Sequence, residues 1–205
     1  MPRKPKASNG PPGDPVMFHF EPLLLTREEI MALAERYWTY GERYRRTEEE
    51  IVERIAPEAR RRGSFERDEF LKICMWKSPR PAKHYRKNTA EEVKRATSAA
   101  FSASDPETCV RALLDLHGVG LPVASVLLHF GHRDDYSILD VFALKALERA
   151  VPTTKTASMG FWRAYVEHSR GLAMQYGVDM RTLDRALWTR GKELARSTHQ
   201  KRTEG

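Results

Sequence analysis

Apolar residues recur along most of the chain at intervals of three and four, and no stretch shows the alternation that a half-buried strand requires. Thr26 with Glu29 makes a capping box ahead of Ile30, Leu33, Ala34, Tyr37 and Trp38, which share one helix face. Thr47 with Glu50 repeats the signal and predicts the start of a charged helix running to about Arg62, where Gly63 stops it. Ser64 precedes a helix that turns Phe70, Leu71, Ile73, Cys74 and Trp76 inward. Thr89 with Glu92 caps the next, which buries Val93, Ala96, Ala100 and Phe101. Asp105-Pro106 then opens an apolar run through Leu116, and a second run from Val123 to Gly131 follows almost at once. Asp140 stands before Val141, Leu144 and Leu147, a helix closed by Pro152, and residues 153–158 read as a linker. Phe161 to Tyr176 forms a long helix stopped by Gly177. Asp179 caps the last one, which carries Leu183, Ala186, Leu187 and Trp188. The pattern predicts an all-α domain over 17–195, either one body or two small lobes around a cleft, with tails at 1–16 and 196–205.

Between the two closely spaced apolar runs lies Gly118-Val119-Gly120, preceded by Leu116-His117. Two glycines around a β-branched residue make a tight turn that a partner can approach closely. Pro122 suits the first turn of the following helix, whose leading N–H groups are unpaired and offer hydrogen bonds to an anion. Residues 106–131 therefore read as two helices joined by a hairpin able to hold a phosphate, with Gly118, Val119 and Gly120 as the contact.

Leu116-His117-Gly118-Val119-Gly120 resembles the hairpin of the helix-hairpin-helix motif, and Tyr136-Ser137-Ile138-Leu139-Asp140-Val141 resembles the segment bearing the catalytic aspartate of the helix-hairpin-helix DNA glycosylases of base excision repair. The resemblance covers roughly residues 106–150. It implies a glycosylase-like helical fold, duplex DNA as partner, and Asp140 stabilising a cationic sugar as an N-glycosidic bond is hydrolysed. It also implies a monovalent cation, potassium or sodium, held by the main-chain carbonyls of Leu114, Leu116 and Val119. Pro122 stands where the lyase members carry a nucleophilic lysine, so no Schiff base forms there and a hydrolase without lyase activity is expected. Lys145 is a weak substitute. Cys74 and Cys109 are too few for a four-cysteine iron–sulfur cluster, so none is expected.

Charge adds less than its total suggests. Of the formal +7, residues 1–16 supply +2 and residues 190–205 supply +3, which leaves +2 for the body. A sharper feature is the Pro-flanked basic stretch 76–88, where Lys77, Arg80, Lys83, Arg86 and Lys87 are set to grip phosphates and Tyr85 to stack on a base. The plain alternative is a solvated loop anchored by Trp76 and Tyr85. Two prolines there argue against regular helix. Residues 1–16, rich in Pro, Gly and Lys, are expected to be disordered. No apolar run spans a membrane and no leader is visible. Together with two cysteines that suggest no disulfide framework, this points to a reducing, cytoplasmic compartment, associated with the nucleoid if DNA is bound; a monomer is expected.

Several candidates carry a plain structural reading that the sequence favours. Asp140 is also a natural N-cap. Arg181, Asp184, Arg185 and Trp188 fall at helical spacings, as a buried network lining a cleft or as surface ion pairs. Trp162 and Trp188 read as core. His129 and His132 lack a third ligand at metal spacing. Three functional classes stay open: a monofunctional DNA N-glycosylase, a helix-hairpin-helix DNA-binding module without catalysis, and a helical scaffold.

Overall fold

The computed structural model describes Phe18, Phe20 and residues 22–132, 135–148 and 159–203, with side chains through Ser197. The tail at 1–16, Arg133 and Asp134 of the turn after Gly131, Pro152 and the linker 153–158 lie outside the described residues. Every regular element among the described residues is helical. In chain order they are α1 (Arg27–Gly41), a 3-10 turn (Glu42–Tyr44), α2 (Arg45–Glu50), a π turn (Ile51–Ile55) and α3 (Ala56–Arg62). Then come α4 (Arg67–Lys77), one-turn α5 (Ala82–Tyr85), α6 (Ala90–Ser102), α7 (Pro106–Leu114) and α8 (Leu121–Gly131). The chain ends with α9 (Val141–Ala146), α10 (Met159–Tyr176) and α11 (Met180–Thr203).

Local signals account for most boundaries. Thr26 and Thr89 form complete capping boxes with Glu29 and Glu92. Asp105 and Asp179 accept from the backbone N–H groups of Thr108 and Thr182. Gly63 and Gly177 end helices with positive φ. Thr47 is different. The chain reaches it already helical from the 3-10 turn, so no capping box forms there, and Glu50 turns instead to Arg54 and Lys72. The N-cap of α4 is Glu66, two residues later than the serine suggested. The two prolines at 79 and 81 do not exclude helix either. Pro81 sits at the N-cap of α5, where a missing N–H costs nothing. At the C-terminus α11 continues to Thr203, beyond the point where fraying was expected.

The core is built around α8, which is buried along its length apart from Pro122. A helix apolar on all sides belongs in the interior. Helices α3, α4, α6 and α7 surround it. Its exposed-carbonyl end is satisfied by Arg60, whose guanidinium donates to the carbonyls of His129 at 3.1 Å and His132 at 3.2 Å. Buried apolar side chains from α1 to α11 join in one connected core. Helix α11 lies between α1 and α9. Gly191 permits its approach to α9, because a Cβ there would fall 1.8 Å from the carbonyl oxygen of Phe142. That docking leaves Val141 half exposed, while Leu144 and Leu147 are buried as the pattern predicts, with Ala143 and Ala146 beside them. No helix of the described residues is long and apolar enough to cross a membrane.

Candidate functional site

Residues 135–140 carry no helix, yet they are held from several sides. Ser137 Oγ and the Ile138 N–H donate to Asp184 Oδ1 at 2.6 and 3.1 Å. Tyr165 Oη donates to the Ile138 carbonyl at 2.9 Å, and the Leu139 N–H donates to Ser125 Oγ at 2.9 Å. Helices α8, α10 and α11 thus each grip the segment that delivers Asp140 to the start of α9.

Asp140 uses both oxygens. Oδ1 accepts from the Phe142 N–H at 2.9 Å, so the residue caps α9. Oδ2 accepts from Lys77 Nζ at 2.7 Å, with the two side chains 21% and 11% exposed. This position for Lys77 corrects the expectation of a surface phosphate contact. It lies at the C-terminal end of α4 and points at Asp140, because α4 packs on α8 and brings its last turn to the 135–140 segment.

The pair separates two cavities. One, of about 280 Å³, is walled by Tyr40, Tyr44, Trp76, Phe142 and Trp188, with Arg43, Lys192, Arg181 and Asp184 among its polar groups. The other, of about 370 Å³, runs from the pair to Gly118, Gly120 and Pro122. Trp188 therefore faces a cleft as well as the core, whereas Trp162 is fully buried as expected. Tyr37, Tyr40 and Tyr44 are spaced three and four apart, a signal the sequence carried for the aromatic wall.

Beneath the first cavity lies a buried network. Glu48 is inaccessible and pairs with Arg181 at 2.5 Å and Arg185 at 2.6 Å, while Tyr37 Oη donates to it at 3.0 Å. Burial opposes its ionisation, but the two guanidiniums outweigh that and hold the carboxyl below its ordinary range. Burial also drives Tyr37 up to about 12. The partner of the α11 arginines is thus Glu48 of α2, not Asp184. Asp184 lies with Oδ2 3.1 Å from His129 Nδ1, which also meets the Tyr136 carbonyl at 2.6 Å. Burial, more than any opposing charge, pushes Asp184 up to about 7. Burial and then Arg181 push His129 down to about 3.

At the hairpin, Gly118 adopts φ +83° and packs on Tyr85, where an added Cβ would lie 2.9 Å from the ring. Tyr85 is fully buried, which removes it as a base-stacking platform: its ring is the floor of the hairpin. Gly120 has φ −109°, ordinary extended backbone, so the special conformation belongs to the first glycine alone. The Val119 side chain is buried as an anchor. Among the described residues no protein acceptor meets the N–H groups of Gly118, Gly120 or Leu121. Asn88, which sequence reasoning passed over, fastens the basic stretch to the hairpin through both edges of its amide on His117. Arg80, Lys83, Arg86 and Lys87 stand exposed on that stretch. Both cysteines are buried and neither is in a disulfide, and no cluster of three or more His, Cys, Asp or Glu suited to a metal occurs among the described residues.

As for the carbonyls assigned to a monovalent cation, Leu116 O accepts from the Val119 N–H at 3.1 Å and keeps a second lone pair. No N–H meets Leu114 O or Val119 O outside the regular helix bonds. The donor chemistry fits such an ion. Compared with protein-family models, with curated proteins and with solved structures, the chain matches none.

Proposed function

We propose that the protein is a DNA-binding N-glycosylase of the helix-hairpin-helix type, acting by hydrolysis with Asp140 as its carboxylate. The observation that carries this reading is one juxtaposition: an aromatic cavity, a carboxylate at its edge, and a glycine hairpin across that carboxylate. The hairpin N–H groups and the exposed Arg80, Lys83, Arg86 and Lys87 take phosphates of a duplex. A potassium or sodium ion on the carbonyls of Leu114, Leu116 and Val119 would add positive charge beside that phosphate. One nucleotide turns out of the stack and its base enters the aromatic cavity. The C1′–N bond breaks with its electron pair leaving on the base. Asp140 stabilises the positive charge that grows on the sugar, and water then adds at C1′ and loses a proton. Losing one preorganised hydrogen-bond donor to a transition-state charge typically costs ~10²–10³ in rate, the scale on which the loss of Asp140 is judged.

The test is base release from a panel of damaged duplexes. Release by the parent, with loss on Asp140→Asn at unchanged DNA affinity, is the expected result. No release from any duplex sinks catalysis. A second reading, a binding module without chemistry, is favoured by one observation: both Asp140 oxygens are already engaged, by the Phe142 N–H and by Lys77.

A further inference from the structure

Of the four cations that line the aromatic cavity, Lys77 and Arg181 are paired with a carboxylate, as are Arg185, Arg45 and Arg36 beyond its lining. Glu48 answers Arg181 and Arg185, Asp140 answers Lys77, Glu42 answers Arg45 and Glu193 answers Arg36. Arg43, Lys192 and Arg196 are not: among the described residues none of them meets a carboxylate within 4.0 Å. They gather instead on aromatic faces. Lys192 Nζ sits 4.3 Å from the Trp188 ring and 5.4 Å from that of Tyr40. The Arg196 guanidinium sits 4.5 Å from the Tyr40 ring, and that of Arg43 4.5 Å from Tyr44. Tyr40, Tyr44, Trp188, Arg43 and Lys192 all line the cavity. An aromatic face holds a cation in place without cancelling its charge, so the N–H donors stay available.

We propose that Arg43, Lys192 and Arg196 form a phosphate subsite at the side of the cavity away from the hairpin, which takes the phosphate ester of a nucleotide seated in the cleft. This rests on the nucleic-acid reading of that cleft. Like charges held together repel, and an anion is what relieves them. Burial, then Arg196 and Arg43, lower the proton affinity of Lys192 and outweigh the opposing pull of the Asp140 carboxylate. The hairpin and this cluster would then grip phosphates on opposite sides of the Lys77–Asp140 pair. The shared chemistry is a phosphate ester, borne either by a DNA strand or by a free nucleotide.

Affinity for a labelled duplex with one unpaired central nucleotide is measured against salt, alongside binding of a nucleoside monophosphate. Proteins compared are the parent, the triple variant Arg43→Gln/Lys192→Gln/Arg196→Gln, Lys192→Arg, and Arg61→Gln on α3 as a remote charge control. If a strand phosphate is held, the triple variant loses about 0.9 from the log–log salt slope per contact removed, while Lys192→Arg and Arg61→Gln keep it. If a free nucleotide is the ligand, the duplex slope is unchanged and the monophosphate binds the parent but not the triple variant. Thermal melting of each variant separates lost binding from lost folding, and Lys192→Gln alone serves if the triple variant melts early. Unchanged duplex slope and unchanged monophosphate binding overturn the subsite. Failure of the parent to release any base, with the slope change present, overturns catalysis and leaves the subsite standing.

Discussion

Asn88 meets His117 through both edges of its amide: Oδ1 accepts from the His117 N–H at 2.7 Å and Nδ2 donates to the His117 carbonyl at 3.0 Å. A third bond, from Nδ2 to the Tyr85 carbonyl at 2.9 Å, ties both to the floor of the hairpin. The hairpin is therefore held by a residue 29 positions upstream. Asn88→Ala leaves the partly buried N–H and carbonyl of His117 without their partner, while the Tyr85 carbonyl keeps the backbone N–H of residue 88, and should cost about 1 kcal/mol in urea unfolding. Amide exchange at Gly118 to Leu121 should quicken in parallel. Unaltered exchange there would mean that the hairpin holds its own shape.

The two hairpin glycines should respond differently to alanine. Gly118→Ala places a Cβ in left-handed backbone against Tyr85 and His84, and should destabilise by about 1–3 kcal/mol. Gly120 has ordinary φ and only Pro122 nearby, at 3.9 Å, so Gly120→Ala should fold as the parent does. Gly120→Asp should then weaken duplex binding by repelling phosphate, with no strain in the turn. Equal losses of stability for both alanine variants would contradict this assignment.

Asp140→Asn keeps a cap for α9, since asparagine caps nearly as well as aspartate. From the sequence a small stability change followed. The ion pair alters that expectation, because the variant sets an amide against a nearly buried Lys77 ammonium that has lost its partner. A cost of about 1–3 kcal/mol is expected, relieved when Lys77→Met is added. Additive losses in that double-mutant cycle would remove the coupling.

Borohydride should trap no adduct with an abasic duplex. Pro122 supplies no amine, and Lys77 Nζ is held on Asp140 Oδ2 at 2.7 Å. Peptide mapping decides the matter: an adduct on Lys77 would make the protein a lyase by a route that Pro122 does not block. Lys145, named by the sequence as the first substitute, is not among the groups lining either cavity beside Asp140.

His129 and Asp184 should give opposing pH dependences. His129, near 3 when folded and near 6.5 when unfolded, binds more protons unfolded between those limits, so its share of stability rises with pH there. Asp184, near 7 when folded and near 3.8 unfolded, binds more protons folded, so its share falls from about pH 4 to pH 7. In the parent the two slopes offset each other between about pH 4 and 6.5. Asp184→Asn should unmask the rising limb and His129→Gln the falling one, each by up to about 1.4 kcal/mol per pH unit. Urea unfolding at pH 4, 5, 6 and 8 reads both, and parallel profiles for the two variants would refute the assignment.

What the sequence determined by itself is what neighbours three and four apart decide. Thr26, Thr89, Asp105, Asp140 and Asp179 cap helices by reaching N–H groups two or three residues on, and Gly63 and Gly177 stop helices by conformation alone. The all-helical class and the short turn between α7 and α8 follow from the same local rules. Thr47 failed because its capping signal was met by a chain already helical. The site needed docking. Lys77 and Asp140 are 63 positions apart, and Glu48 lies 133 from Arg181, so their pairing depends on how α4 and α11 settle on the core. Tyr85 read equally well as a stacking residue or as an anchor; the ring space beneath Gly118 made it an anchor. Charge was the same. The sequence counts Arg43, Lys192 and Arg196 like any other cations, and only the tertiary arrangement, which places carboxylates beside their neighbours and aromatic rings beside these three, decided where positive charge remains.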